Sequence, residues 1–293
     1  MPVFAGQGDP ARSMALLWRT PGPRTGPGPK PGLNVDAIVA AAIAVADTDG
    51  LAGLSMRAVA ERLGVTAMAL YTYVPGKEEL VDLMYDGAHA ELPVRYDLGE
   101  GWRAAVTSWA TDLLGCYVRH PWALRVSFAR PVLGPNEQTV LEALARVLRQ
   151  AGLPAAVARR VVSLLFYVVR GTAQAVAESR LAAAAGGPSE QAWWAGRVAA
   201  LRQVAPDFAQ RFPDSVWLAG TGTTPRRDDP TPYLEREAME AFTVGLTVLL
   251  DGIQAAMEAG RRQHEADRTH HEREPHDPAS SIQRSGPGRA RSL

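Results

Sequence analysis

Cysteine is almost absent: Cys116 is the single one among 293 residues. A lone thiol excludes an intrachain disulfide and any CxxC metal or redox motif, and a reducing cytoplasm is the expected home. Net charge is absent too. Lys and Arg number 31, as do Asp and Glu, so the formal charge is zero and no global field draws the chain toward nucleic acid. The N-terminal third is no richer, because seven basic residues ahead of position 93 face ten acidic ones. DNA binding there would have to rest on a few placed donors. No apolar run reaches the roughly 18–20 residues of a membrane span. Ala15–Trp18 is followed by Pro and Gly and is too short for a signal-peptide core. Neither export nor membrane insertion is expected. Strand-like alternation is missing throughout, which leaves an all-α fold.

Catalytic signatures are missing as well. There is no Walker loop, no Gly-x-Ser-x-Gly elbow and no zincin motif. Gly220-Thr-Gly222 has neither the strand before it nor the helix after it that a phosphate loop needs. His264, His270, His271 and His276 sit in a charged tail without the fixed geometry that metal ligation requires. The expectation is no metal, no cofactor and no catalytic residues. Hydrophobic residues at 46%, mostly Ala, Val and Leu, do support a helical core.

The most informative stretch is Ser55–Val74, SMRAVAERLGVTAMALYTYV. Ser55 suits an N-cap, and Val59 and Leu63 lie four apart on one helical face. Gly64 stands where a helix end needs positive φ. Thr66 caps a second helix from about Ala67 to Tyr73. Such a short connection between two helices is that of a helix-turn-helix. Ala60 and Gly64 are small where the helices cross, and Val59, Leu63, Val65 and Leu70 point inward. Ala67, Met68, Ala69, Tyr71, Thr72 and Tyr73 then have little to bury against. Small residues at the tip and hydroxyls along one side suit a helix entering a major groove. A helical hairpin that is only scaffold would carry the same bare pattern.

The remaining chain reads as helices and linkers. Residues 1–33 end in PGPRTGPGPKPG and are expected to be a disordered arm. Its Arg19, Arg24 and Lys30 either reach phosphates or a minor groove or are merely solvated. Asn34 caps a helix with Ile38, Val39, Ala42, Ile43 and Ala46 on one face, closed by Gly50. Glu78 and Glu79 open another helix at Lys77, favourable for its dipole, with Leu80, Leu83, Met84 and Ala88 inward. Further helices are expected at 102–119, 136–151, 155–183, 190–204 and 233–259, and a disordered tail at 261–293. The middle of the 155–183 helix, VVSLLFYVV, is apolar on every side, so it must be buried all round.

The segment from Asn34 to Leu92, with VDAIVAAAIAVADTDGLAGLSMRAVAERLGV and LYTYVPGKEELVDLM, resembles the DNA-binding domain of TetR-family transcription regulators. RHPWALRVSFARPVLGPNEQTVLEALARVL and FTVGLTVLLDGI are similar to the ligand-binding half of its tetracycline-repressor branch. The resemblance implies a helix-turn-helix DNA-binding domain at 34–92 and a helical ligand-binding and dimerisation domain at 93–260. It implies a homodimer that leaves a double-stranded DNA operator when a small-molecule effector binds. The rivals are an activator, a ligand-independent regulator, or a helical enzyme with a Trp-rich pocket. Expected at DNA are Met56, Arg57, Thr66, Ala67, Met68, Ala69, Tyr71, Thr72, Tyr73 and, on a phosphate, Lys77. Expected at the ligand are Trp109, His120, Phe128, Phe166, Tyr167 and Arg170. Each has a plainer reading. Aromatics at helical spacing are ordinary core, His120 could cap its own helix end, and Arg170 could pair with Glu178 or a partner's acid rather than a ligand. Tetracycline repressors hold a drug–magnesium complex with a histidine in the segment matching 126–130, and no histidine stands there.

Overall fold

In the computed structural model, the described residues are 4, 6–20, 33–127, 129–187, 189–220 and 231–271. They form twelve α-helices, one 3₁₀ turn and no β-strand. Contacts divide the chain into two units, Met1–Leu250 and Asp251–Leu293.

The helix starts are set by side-chain caps. Asn34 accepts from the Ala37 N–H at 2.7 Å and opens α2 (Val35–Gly53). Ser55 accepts from Ala58 at 3.1 Å and opens α3 (Met56–Arg62). Thr66 accepts from Ala69 at 3.3 Å and opens α4 (Ala67–Tyr71). Each cap satisfies one of the orphan amides of a first turn. Gly50, with φ +65°, breaks α2 where the sequence places its end, and one further turn follows. α5 (Lys77–His89) carries Glu78 and Glu79 in its first turn.

The second half of the larger unit contains α6 (Trp102–Arg119), the 3₁₀ turn Pro121–Arg125, α7 (Pro135–Gln150) and α8 (Ala155–Ala184). Its core holds Val106, Trp109, Leu113, Leu144, Leu148, Leu165 and Val169, all nearly inaccessible. α9 (Glu190–Val204), α10 (Phe208–Arg211) and α11 (Pro213–Gly220) bury no residue. The last two are short helices for which the sequence gives no apolar stripe. α12 (Tyr233–His271) crosses from the first unit into the second.

Three expectations change. Residues 1–33 are not uniformly an arm: α1 (Pro10–Leu17) is a helix, capped by Asp9, with Pro10 in its first turn and Leu17 only 2% exposed. It packs on α5. The Pro/Gly content of 21–33 masks this helix in any compositional average, and residues 21–32, with Arg24 and Lys30, lie outside the described residues. The tail is not wholly irregular either, since α12 runs on to His271; residues 272–293, with His276, lie outside the described residues. Finally, α8 is not buried on every side. Leu164, Tyr167 and Leu181 are exposed, as are Leu234, Val244 and Val248 on α12.

Candidate DNA-binding head and effector cavity

The turn between α3 and α4 has the expected construction. Gly64 sits at φ +66°, a conformation that L side chains resist. The Val65 N–H reaches back to the Ala60 carbonyl at 3.0 Å. Val59 and Leu70 are fully buried and Ala60 nearly so, which fixes the crossing of the two helices. On the outer side Met68 is 74% and Tyr71 42% exposed. Arg57, Thr66 and Thr72 are exposed, while Ala67, Ala69 and Tyr73 are half-buried.

Two of the expected DNA contacts are otherwise engaged. Met56 is buried, because the first residue of α3 turns into the head's core rather than outward. The Lys77 ammonium donates to the carbonyls of Leu54 at 2.6 Å and Leu51 at 3.2 Å. It thus satisfies carbonyls where α2 ends, a common use of a cation there, and acts first as a brace between α5 and α2. Arg19 of the arm is likewise taken, paired with Asp36 at 2.6 Å.

α5 joins this head to the rest. Asp82 accepts the Gly6 N–H at 3.1 Å, and burial raises its pKa to about 6. One oxygen of Asp86 accepts the N–H groups of Asn136 and Glu137, both at 2.9 Å, and the other accepts from the Asn136 amide. A carboxylate in this position satisfies the free amides at the start of α7 and complements its dipole.

Beside these ties lies a cavity of about 270 Å³, walled by α5, α7 and α8. α5 supplies Tyr85 and His89, α7 supplies Glu137 and Val140, and α8 supplies Arg159, Ser163 and Phe166. His89 Nδ1 lies 2.7 Å from the Tyr85 carbonyl, so Nδ1 carries the proton and donates. Burial lowers its pKa to about 4, and the neutral ring keeps Nε2 as an acceptor. Mostly apolar walls with a few convergent polar groups are the usual form of a small-molecule site.

The expected ligand residues divide. Phe166 lines the cavity. Trp109 stands behind it, edge-on at 5.1 Å, with its indole N–H on the Val140 carbonyl at 3.0 Å. Tyr167 is 60% exposed and borders a separate depression with Arg160 and Leu164. Phe128 lies outside the described residues. His120 ends α6 through its backbone N–H on the Cys116 carbonyl, but its imidazole neither caps that helix nor lines the cavity. Its Nδ1 is 2.8 Å from Asp47 of α2 and its Nε2 3.0 Å from Glu91, just past α5. Arg170 is not paired with Glu178, which accepts from Gln174 at 2.6 Å. Arg170 instead donates to the Leu124 and Val126 carbonyls, both at 3.2 Å, and lies over the Tyr117 ring. Sequence reasoning missed Tyr85, His89 and Glu137. The available signal was Tyr85 and His89 spaced four apart, one turn of α5.

Two family models match the chain. "Bacterial regulatory proteins, tetR family" covers residues 38–84, and "Tetracyclin repressor-like, C-terminal domain" covers 97–257. A Streptomyces coeruleorubidus protein named HTH-type transcriptional repressor DrrR1 is 37% identical over 251 residues, 85% of this chain and 87% of the relative. The chain belongs to the TetR family. This TetR-family chain also aligns at 36% identity over 123 residues, 42% of the chain and 52% of the relative, with an HTH-type transcriptional regulator of Saccharopolyspora erythraea. Its fold matches Streptomyces coelicolor ActR in complex with actinorhodin. That likeness has TM-score 0.62 and 27% identity, covering 77% of this chain and 97% of the other. Apo ActR matches at TM-score 0.59 and 27% identity, covering 79% and 100%. The family is one of DNA-binding transcription regulators, not enzymes.

Lys77→Met separates a brace from a phosphate contact. The brace reading expects a lower melting temperature and an unchanged salt dependence of DNA binding. A slope smaller by ~0.9 with stability intact would return Lys77 to a phosphate. His89 gives a pH test. An unfolded histidine takes up its proton near 6.5, while the folded one resists until about 4, so acid in that window favours unfolding. His89→Gln removes this penalty. Between pH 7 and pH 5 the parent should therefore lose about 2 kcal/mol per chain more than the variant in urea unfolding. Asp82 acts oppositely, since its raised pKa costs stability as pH rises through 6, but it is common to both proteins and cancels. Parallel stability curves would show that His89 is not buried neutral.

Proposed function

We propose that the chain is a homodimeric repressor, acting in the cytoplasm, that leaves a two-fold symmetric operator when an organic molecule fills the α5–α7–α8 cavity. The observation that carries this reading is the position of α5. Its first residue braces the helix-turn-helix head, and its last turn forms a wall of the cavity. An occupant there touches the element that holds the head, which is what coupling requires. ActR's complex with actinorhodin supports a cavity occupied in a protein of the same fold, and the repressor named above supports the sign of the regulation. Arg57, Thr66, Ala67, Met68, Ala69, Tyr71, Thr72 and Tyr73 are the proposed DNA surface, and of the ligand residues expected from sequence Phe166 is the one on the cavity wall.

The exposed apolar side chains of α8 and α12 support dimerisation. Both helices are long and apolar enough, by length and composition, to cross a membrane, and most of each is unburied. Such a surface needs a cover. Arg180 of α8, bonded to Glu235 of α12 at 2.6 Å, lies on it, and a second copy covers apolar and charged groups together where lipid would not. The contact is isologous, the usual arrangement of a two-fold dimer.

Sedimentation and footprinting on the DNA upstream of the chain's own gene test this. The parent should sediment as a dimer at micromolar concentration and protect two half-sites whose centres lie ~10 bp apart, or a multiple of that. Val244→Asp combined with Val248→Asp should give monomers that bind the same DNA at least tenfold more weakly. A monomeric parent, or a monomeric variant with full affinity, would refute the dimer.

A further inference from the structure

The hydrogen-bonding capacity of the cavity is lopsided. Ser163 donates its hydroxyl to the Arg159 carbonyl at 3.2 Å and has only lone pairs left to offer. His89 donates from Nδ1 to Tyr85 and also keeps only an acceptor. Glu137 accepts the Leu133 N–H at 2.6 Å, and that of Val132, which leaves about half of the four lone-pair sites of a carboxylate. Three polar groups of the wall thus offer only acceptors, while Gln138, also on the wall, carries both a donor and an acceptor. The Tyr85 hydroxyl is engaged with Tyr117 at 3.4 Å.

Charge leans the same way. Desolvation raises the pKa of Glu137, and Asp86 and Asp82 behind it raise it further. Arg159 also lines the cavity, but its side chain is solvent-exposed and reaches a second depression beside Arg160. A rim guanidinium in contact with water is screened, whereas the charges around Glu137 are partly desolvated and are screened less. Opposite Glu137 the wall is Phe166, backed by Trp109.

Resting on the reading of this cavity as the effector site, we infer that its effector is an aromatic molecule carrying a protonated amine. The amine pairs with Glu137, a hydroxyl or second N–H donates to His89 Nε2, and the ring lies against Phe166. A cation at Glu137 satisfies the carboxylate's remaining lone pairs and offsets the neighbouring Asp86. An anionic effector would meet the Glu137 carboxylate with Asp86 and Asp82 behind it, against Arg159 at the rim and Arg170 behind the Tyr85 and His89 wall.

A charge series on one ring tests the assignment in the full-length protein without DNA. Isothermal titration calorimetry would compare 1-naphthylmethylammonium, neutral 1-naphthalenemethanol and 1-naphthoate. The ammonium should bind at least tenfold tighter than the alcohol, and the naphthoate weakest. Glu137→Gln keeps an oxygen for the Leu133 N–H and removes the charge. It should bring the ammonium within about threefold of the alcohol and leave the alcohol's affinity unchanged. Equal binding of ammonium and alcohol by the parent, tightest binding of naphthoate, or a preference that survives Glu137→Gln would each overturn the cationic class while leaving the cavity a binding site. Failure of all three to bind would instead overturn the cavity as effector site, and this inference with it.

Discussion

The bond on which the rest of this structure depends is the one between Asp86 and the first turn of α7. A carboxylate side chain of one helix satisfies the free amides of another, so the start of α7 cannot shift without the middle of α5 shifting or the amides losing their partner. Losing a buried, charge-assisted hydrogen bond costs about 1.5–3 kcal/mol, enough to make the two helices move together. Gly134 fits the same constraint. A Cβ there would collide with the Asp86 carboxylate, so only glycine lets the chain pass this close. α5 is tied along its length in similar fashion, to α2 through Lys77, to the arm through Asp82, and to α6 through the Tyr85–Tyr117 hydroxyl pair. Glu91, just beyond it, receives both His120 and Arg119.

A chain without net charge leaves little electrostatic help for DNA binding. Two cations beside the head are engaged within the protein, Lys77 on carbonyls and Arg19 in a solvent-exposed pair with Asp36. What remains outward on α4 is Met68, Tyr71 and Thr72, with Arg57 on α3. On the proposed reading, such a surface would read a groove by shape, apolar contact and hydroxyl donation more than by charge. The N-terminal segment packs on the body of the chain. Trp18 donates its indole N–H to the Leu133 carbonyl at 3.1 Å, beside the loop that Glu137 holds, while Arg19 holds α2. One short segment thus touches both α2 and the loop before α7.

The head was legible in the sequence because its determinants are local. A cap at Asn34, Ser55 or Thr66 acts within three residues, and Gly64 announces its own φ. The all-helical class was equally legible, from periodicity. The cavity was not, because α5 is buried on nearly all sides and its polar residues hide among apolar ones. Asp82, Asp86 and His89 are 3%, 4% and 3% exposed, and no local pattern tells a buried carboxylate from a solvated one. Their partners lie 76, 50 and 4 positions away. His120, at a helix end, and Arg170, interrupting an apolar run, stood out in the sequence as ligand candidates, and neither lines the cavity. Their partners are a distant acid pair and two carbonyls, neither readable from spacing. α1 was hidden by the composition of the residues after it.

The central claim is that α5 carries a mechanical link from the DNA-binding head to the cavity through Asp86. Amide hydrogen exchange at Asn136 and Glu137, with and without operator DNA, tests it without any knowledge of the effector. The two amides should change their protection when operator binds the parent. Asp86→Ala should abolish that response while operator affinity stays within about threefold. Identical exchange at both amides with and without operator, in a parent that binds the DNA, would contradict the account.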